Sequence, residues 1–410
     1  MTRLPDDILE LICGIIRQEA SEPDVHSFIK FLPHSDFLPL LRVCKSWYPI
    51  AERHLYTSIA AGSRFQPHLP MVEGETLQER RNRIRMILST QPKRLGWQIV
   101  DELFAVLKGN QRLAGIVKEL RLGVMSIDFK SDPEWTEKNM QVLRLCPNVE
   151  QVEIRGIHVS KFDVVFNALK EKSLVTLTIN PNNLTHDGGG GGTARQLLDA
   201  MQAWPRLKSL KALAMLGVRE VTTSTTIANY CPDLRTFIFD GDDLQENEIR
   251  LLGIICPNIS RLRVPIRGMA FPAFQQVDKS LDTLCECLHA WSPTLECFRL
   301  NVRYFVPVHA PFTKALSRLS ALRELHVERM AVDLACLSAL SNLERLYLCL
   351  SSGEEIQLAE MLEDATKFPA LKSLSIRMLT GENGNKFKDV CSRREISIHD
   401  WKGTNRGFIL

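Results

Sequence analysis

One phrase recurs along this 410-residue chain and restricts its fold more than any other feature. It reads as an apolar residue, two others, an apolar residue, one other and a third apolar residue, often with proline two positions ahead. Clear copies are Pro147 with Val149, Val152 and Ile154; Pro232 with Leu234, Phe237 and Phe239; and Pro257 with Ile259, Leu262 and Val264. Pro293 with Leu295, Phe298 and Leu300, and Pro369 with Leu371, Leu374 and Ile376, complete the set. Weaker copies fill the intervals at Val117/Leu120/Leu122, Leu174/Leu177/Ile179, Leu207/Leu210 after Pro205, Leu322/Leu325/Val327 and Leu343/Leu346/Leu348. The last two apolar residues are two apart, so they share one face of a short extended segment while the residue between points away. The first closes the layer where the chain turns into the strand. A proline ahead of it ends the preceding helix and needs no ladder donor.

Helical stripes occupy the gaps. Phe162, Val165, Phe166 and Leu169 share one helical face, as do Leu197, Leu198 and Met201, and Ile249, Leu252 and Ile255. Leu281, Leu284, Cys285 and Leu288, then Leu358, Met361 and Leu362, repeat the pattern. A single strand–helix unit cannot bury its apolar face alone, so the units must stack. The predicted fold is therefore α/β: an irregular solenoid of strand–helix repeats with a parallel sheet on its concave side. The spacing averages about 28 residues, within the range of leucine-rich repeats. A doubly wound α/β domain also alternates strands and helices, but it calls for longer, more β-branched strands and no recurring proline frame.

Composition narrows the function classes. The balance of 51 Lys+Arg against 48 Asp+Glu leaves a net charge of +3, which gives no overall pull towards nucleic acid or a membrane surface. No apolar run is long enough to span a bilayer, and Asp6, Asp7 and Glu10 interrupt the stretch where a secretory signal needs an uncharged core. A cytoplasmic or nuclear location is expected. The 11 cysteines are odd in number and scattered through apolar segments, with Cys146, Cys231 and Cys256 each directly before a proline of the repeat phrase. They read as buried packing positions and not as a disulfide framework.

The N-terminal stretch differs from the repeats. Pro5, Asp6 and Asp7 suit the first turn of a helix, and Ile8, Leu9, Ile12, Ile15 and Ile16 follow at helical spacing. A second helix is predicted from Ser35 and Asp36 through Leu38, Leu40, Leu41 and Val43, and a third after Ser46 with Trp47, Ile50, Ala51 and Leu55 inward. Three short helices bury little area, so the module needs a docked partner or a seat on the following domain. Leu4-Pro5-Asp6-Asp7-Ile8-Leu9-Glu10-Leu11-Ile12 and Leu40-Leu41-Arg42-Val43-Cys44-Lys45-Ser46-Trp47 resemble the two halves of an F-box. The insert at 17–37, with Val25, Phe28, Ile29 and Leu32, is longer than that family usually has.

The resemblance implies docking to the Skp-type adaptor of a cullin-based SCF ubiquitin ligase. Leu4, Pro5, Ile8 and Leu9 would form a first contact patch. Val43, Cys44 and Trp47 would join a second patch to the module's own core, and Ile12 and Leu40 also count among the implied contacts. The domain division that follows is 1–54, an F-box-like helical module, and 55–410, a leucine-rich-repeat-like solenoid holding a target protein. The competing reading is a non-ligase scaffold whose N-terminal helices merely cap the array.

The rest of the chain offers little chemistry. Leu55, Tyr56, Thr57, Ser58 and Ile59 read as a strand opening the sheet. Arg80, Arg81, Arg83 and Arg85 alternate with Ile84, Ile87 and Leu88, the pattern of a solvated helix face. Five glycines at 188–192 lack the Lys-Ser/Thr of a phosphate loop and read as a mobile loop. Pro265, Pro272, Pro307 and Pro311, with Gly268, mark longer loops beside strand ends. Cys285 and Cys287, two apart on a helix, point in different directions and do not share a metal. No nucleophile elbow, HExxH pair or Walker sequence occurs, so neither enzyme activity nor a cofactor is expected.

Overall fold

The structure is a computed structural model. It describes residues 5–20, 39–61, 95–123, 133–157, 161–180, 194–213, 231–240, 244, 246–266, 274–348, 350, 352–376 and 382–400. These residues divide into two compact units, one within Met1–Gly192 and one within Thr193–Phe408. Leu4, most of the 17–37 insert, the arginines at 80–85, the glycines at 188–192, Gly268 and Pro272 lie outside the described residues.

The first unit opens with α1 (Asp6–Ala20), a 3-10 turn (Leu40–Arg42), α2 (Trp47–Thr57) and β1 (Ser58–Ala61). Then come α3 (Leu95–Gly109), α4 (Gln111–Ile116), β2 (Glu119–Gly123), α5 (Pro133–Leu145), β3 (Gln151–Arg155), α6 (Phe162–Lys170) and β4 (Thr176–Asn180). The four strands pair in parallel and in chain order, with Ile59, Leu120, Val152 and Leu177 side by side.

The second unit runs through α7 (Ala194–Met201), β5 (Ser209–Leu213), β6 (Thr236–Asp240), α8 (Glu246–Ile255), β7 (Arg261–Ile266), α9 (Phe274–Trp291) and β8 (Cys297–Val306). It continues with α10 (Ala310–Leu316), β9 (Glu324–Met330), α11 (Leu334–Leu337), β10 (Arg345–Leu348), α12 (Ser352–Glu363), β11 (Ser373–Ile376), α13 (Glu382–Arg393) and β12 (Ser397–Asp400). These strands also pair in parallel and in chain order, aligning Leu210, Phe237, Leu262, Phe298, Leu325, Leu346, Leu374 and Ile398 in one row. Consecutive helices from α7 to α13 pack on one another. Strictly sequential pairing within each unit is the order of stacked strand–helix repeats, whereas a doubly wound sheet reverses its order at a switch point.

The repeat phrase accounts for the core. Its strand pairs Val152/Ile154, Phe237/Phe239, Leu262/Val264, Phe298/Leu300, Leu325/Val327 and Leu374/Ile376 are all buried, as are the leading residues Val149, Leu234, Ile259, Leu295, Leu322 and Leu371. Each such side chain contributes about 1.5–3 kcal/mol relative to exposure, and no layer buries its share without its neighbours. The position before the proline is a second buried site, filled by Cys146, Trp204, Cys231, Cys256 or Phe368. Burial pushes the Cys146 thiol up to about 11 and Cys231 up to about 12, so both remain protonated. Every described cysteine is free.

Asparagine in the same phrase ties layers together. Asn148 Nδ2 donates to the Gly115 carbonyl at 2.7 Å, Asn258 Nδ2 to the Pro232 carbonyl at 3.1 Å and Asn342 Nδ2 to the Ser320 carbonyl at 2.8 Å. The acceptors lie in the preceding repeat, Gly115 in the last turn of α4 and Pro232 and Ser320 in turns. These bonds satisfy carbonyls freed where helix gives way to strand.

Three local expectations differ from what forms. Of the second predicted N-terminal helix, residues 35–38 lie outside the described residues, and the part from Pro39 on forms a 3-10 turn across Leu40–Arg42 in place of an α-helix. The strand expected from Leu55 begins at Ser58 instead. Leu55 is buried in a helical cluster, Thr57 Oγ1 donates back to the Arg53 carbonyl at 2.6 Å, and α2 therefore runs past residue 54. Pro265 lies within β7, beyond the point where pairing with β6 ends at Arg263, so its missing N–H breaks no ladder bond to β6.

Candidate functional site

The N-terminal helices build a private core and leave a second apolar surface uncovered by it. Leu9, Cys13 and Ile16, at helical spacing along α1, pack against Ile50 and Leu55 of α2, with Leu40, Leu41, Trp47 and Tyr56 at the edges. Glu10 on α1 pairs with Arg53 on α2, and its other oxygen lies 2.8 Å from His54 Nε2. On α2, Glu52 is buried, accepts from Arg112 of α4 at 2.8 Å and from the Tyr48 hydroxyl at 3.3 Å, and this pairing lowers its carboxyl below the ordinary range. The module is thus seated on the repeats by an ion pair between buried Glu52 and exposed Arg112 and by the run of α2 into β1.

The opposite side of α1 is apolar too. Ile8, Leu11 and Ile15, at i, i+3 and i+7, are exposed, Leu11 at 59%. Across the turn, Val43 is 56% exposed and Tyr48 also faces solvent. Of the residues implied by the sequence resemblance, Pro5, Ile8, Val43 and Cys44 are exposed, while Ile12, Leu40 and Trp47 are half-buried. Leu9 is 1% exposed and belongs to the module's own core, so it has no place on the outer surface. Leu4 lies outside the described residues. Leu11 lies within the matched phrase but not among the contacts it implies, and Ile15 and Tyr48 lie outside the phrase. Their signal was present in the helical pattern, since a short surface helix with apolar residues on both sides has two faces to cover.

The strand residues between the buried pairs form the other candidate surface. In the first unit, Glu153 is buried between Arg121, at 3.1 Å, and Arg155. In the second, Arg263, Arg299, His326 and Tyr347 stand side by side across β7 to β10. Glu324 is buried and held by Arg299 Nε at 3.0 Å and Arg345 at 3.3 Å. The His326 and Tyr347 rings stack with centroids 5.3 Å apart. Burial, then the nearby charges of Arg299 and Arg263, pushes the His326 imidazole down to about 4, so it is neutral at physiological pH.

Among the described residues, no three His, Cys, Asp or Glu side chains gather as a metal site. No described helix is long and apolar enough to cross a membrane. No family model matches the chain, and no curated protein matches it.

Proposed function

We propose that this chain is the target-receptor subunit of an SCF-type ubiquitin ligase, with α1, the 3-10 turn and α2 docking a Skp-type adaptor and the leucine-rich-repeat-like array holding a target protein. The observation that carries this reading is the apolar stripe of Ile8, Leu11 and Ile15, exposed on a helix whose other side already packs against α2, with Val43 and Tyr48 also exposed on the same module. Such a surface on a small helical module calls for a covering partner. The F-box resemblance of the same residues supplies the partner's chemistry. In this role the chain performs no bond-making itself. It raises the local concentration of target lysines at the charged enzyme, in the cytosol or nucleus where ligases of this type act.

Co-purification with a recombinant Skp-type adaptor tests the reading. Wild-type chain should retain the adaptor, while Leu11→Asp and Val43→Asp should lose it with an unchanged circular-dichroism spectrum. A folded wild-type chain that fails to hold the adaptor overturns it.

The Arg112–Glu52 pair and the run of α2 into β1 favour a second reading, a plain helical cap on the array. Deleting residues up to about 46 separates the two readings, because a cap leaves behind an aggregating array and a docking module a soluble one.

A further inference from the structure

Two rows of side chains on the second unit's sheet point away from its core. Arg261, Cys297, Glu324 and Arg345 align in one row across β7 to β10, and Arg263, Arg299, His326 and Tyr347 in the next. Alternation along each strand puts both rows opposite the buried Leu262/Val264, Phe298/Leu300, Leu325/Val327 and Leu346/Leu348. These rows hold four arginines and a single carboxylate, although the whole chain balances 51 Lys+Arg against 48 Asp+Glu. The sign bias therefore belongs to this face and not to composition. The equivalent rows of the first unit carry no such excess: Glu119, Gln151 and Thr176 lie beside Arg121, Glu153 and Thr178.

Glu324 illustrates what the face accepts. Its carboxylate sits between the forks of Arg299 and Arg345, while Arg261 is exposed and Arg263 half-buried two strands away. Glu328, one row beyond His326 on β9, pairs with Arg329 at 3.8 Å. The stacked His326 and Tyr347 rings form a flat shelf on β9 and β10, next in the row to Arg299.

We infer that this face of β7 to β10 binds an extended segment of a partner protein rich in aspartate and glutamate. The inference rests on the proposed function only in taking the partner to be a protein. Planar guanidinium forks grip carboxylates through paired hydrogen bonds, and a half-buried site strengthens them. The patch spans three strand spacings, about 14 Å, or roughly four residues of extended peptide. Neutral Thr236 and Ile238 bound it on one side and Ser373 and Ser375 on the other. A nucleic acid needs a basic track that continues along its backbone, whereas neutral residues end this patch on both sides.

Fluorescence anisotropy of the full chain with a labelled oligoglutamate tests the inference. An oligoglutamine, a phosphoserine peptide free of Asp and Glu, and a single-stranded oligonucleotide serve as comparison probes. Oligoglutamate should bind, more weakly as salt rises, and oligoglutamine should not. The double variant Arg261→Gln/Arg263→Gln should weaken binding about tenfold or more, and Arg261→Lys/Arg263→Lys should recover part of the loss. If the glutamine variant misfolds by circular dichroism, the lysine variant and the salt dependence decide. The inference fails if oligoglutamine binds equally or if a folded glutamine variant binds unchanged. It fails likewise if the oligonucleotide or the phosphoserine peptide binds more tightly than oligoglutamate. Adaptor co-purification from the same preparations keeps the two proposals apart, because loss of the adaptor with oligoglutamate binding intact counts against the ligase role alone.

Discussion

Gly253→Ala should destabilise this protein, although alanine is the better helix former. Gly253 lies inside α8, where a glycine-to-alanine change ordinarily gains about 0.8–1 kcal/mol. A Cβ at this position, however, would sit 2.6 Å from Cys287 Sγ on the neighbouring α9. Relief requires the buried thiol to rotate away from the Ile249 carbonyl, to which it donates at 3.5 Å, or the two helices to separate. Overpacking of this kind costs about 1–3 kcal/mol, so the net change after the propensity gain should be a loss of up to about 2 kcal/mol. Removing the sulfur changes the sign. In a Cys287→Ala background the nearest atom is the residue-287 Cβ at 3.6 Å, an ordinary contact, and the propensity gain returns. Urea denaturation of the wild type, both single variants and the double variant gives the coupling directly. Gly253→Ala should be destabilising in the parent and stabilising beside Cys287→Ala, a coupling of about 2 kcal/mol. Stabilisation by the same amount in both backgrounds would refute the reasoning, because the close approach of α8 and α9 would then impose nothing on residue 253.

Three further outcomes follow from individual contacts. Leu9→Ala should loosen the N-terminal module by about 2–5 kcal/mol, read as faster limited proteolysis, whereas Leu11→Asp should alter its stability by less than about 0.5 kcal/mol; equal protease sensitivity would contradict the two-faced reading of α1. Asn258→Ala should cost about 1 kcal/mol through the lost bond to the Pro232 carbonyl, and an unchanged urea midpoint would show that water replaces it without loss. The His326 imidazole is held down to about 4 in the fold against 6.5 ordinarily, so between those values the unfolded chain binds more protons and stability falls as pH drops. His326→Phe should flatten that part of the pH–stability curve, and an unaltered slope would remove His326 as its source.

Core positions were legible where the physics is local. Val152 and Ile154, or Phe298 and Leu300, announce a strand face through a two-residue alternation that backbone geometry imposes wherever the chain is extended. The proline ahead of them marks the helix end for an equally local reason. Misreadings arose where two local signals competed. Leu55, Tyr56 and Thr57 look like a strand by composition, yet the packing of Leu55 with Leu9 and Ile50 keeps them helical as far as Thr57. At Leu40–Arg42 an apolar run suggested an α-helix, and a single 3-10 turn forms there. Leu9 fell within the F-box-like phrase, but a motif does not record which side of its helix a private core has claimed.

By itself the sequence determined the repeating unit, its buried positions and the absence of charge bias overall, because each follows from residue type and short-range spacing. Only the tertiary structure decided which apolar stripe of α1 is spent internally and which is left exposed. It alone also brought Arg263, Arg299, His326 and Tyr347 into one row. Those four residues come from four separate repeats, and what makes them neighbours is lateral strand pairing at about 4.8 Å, a distance that no one-dimensional pattern contains.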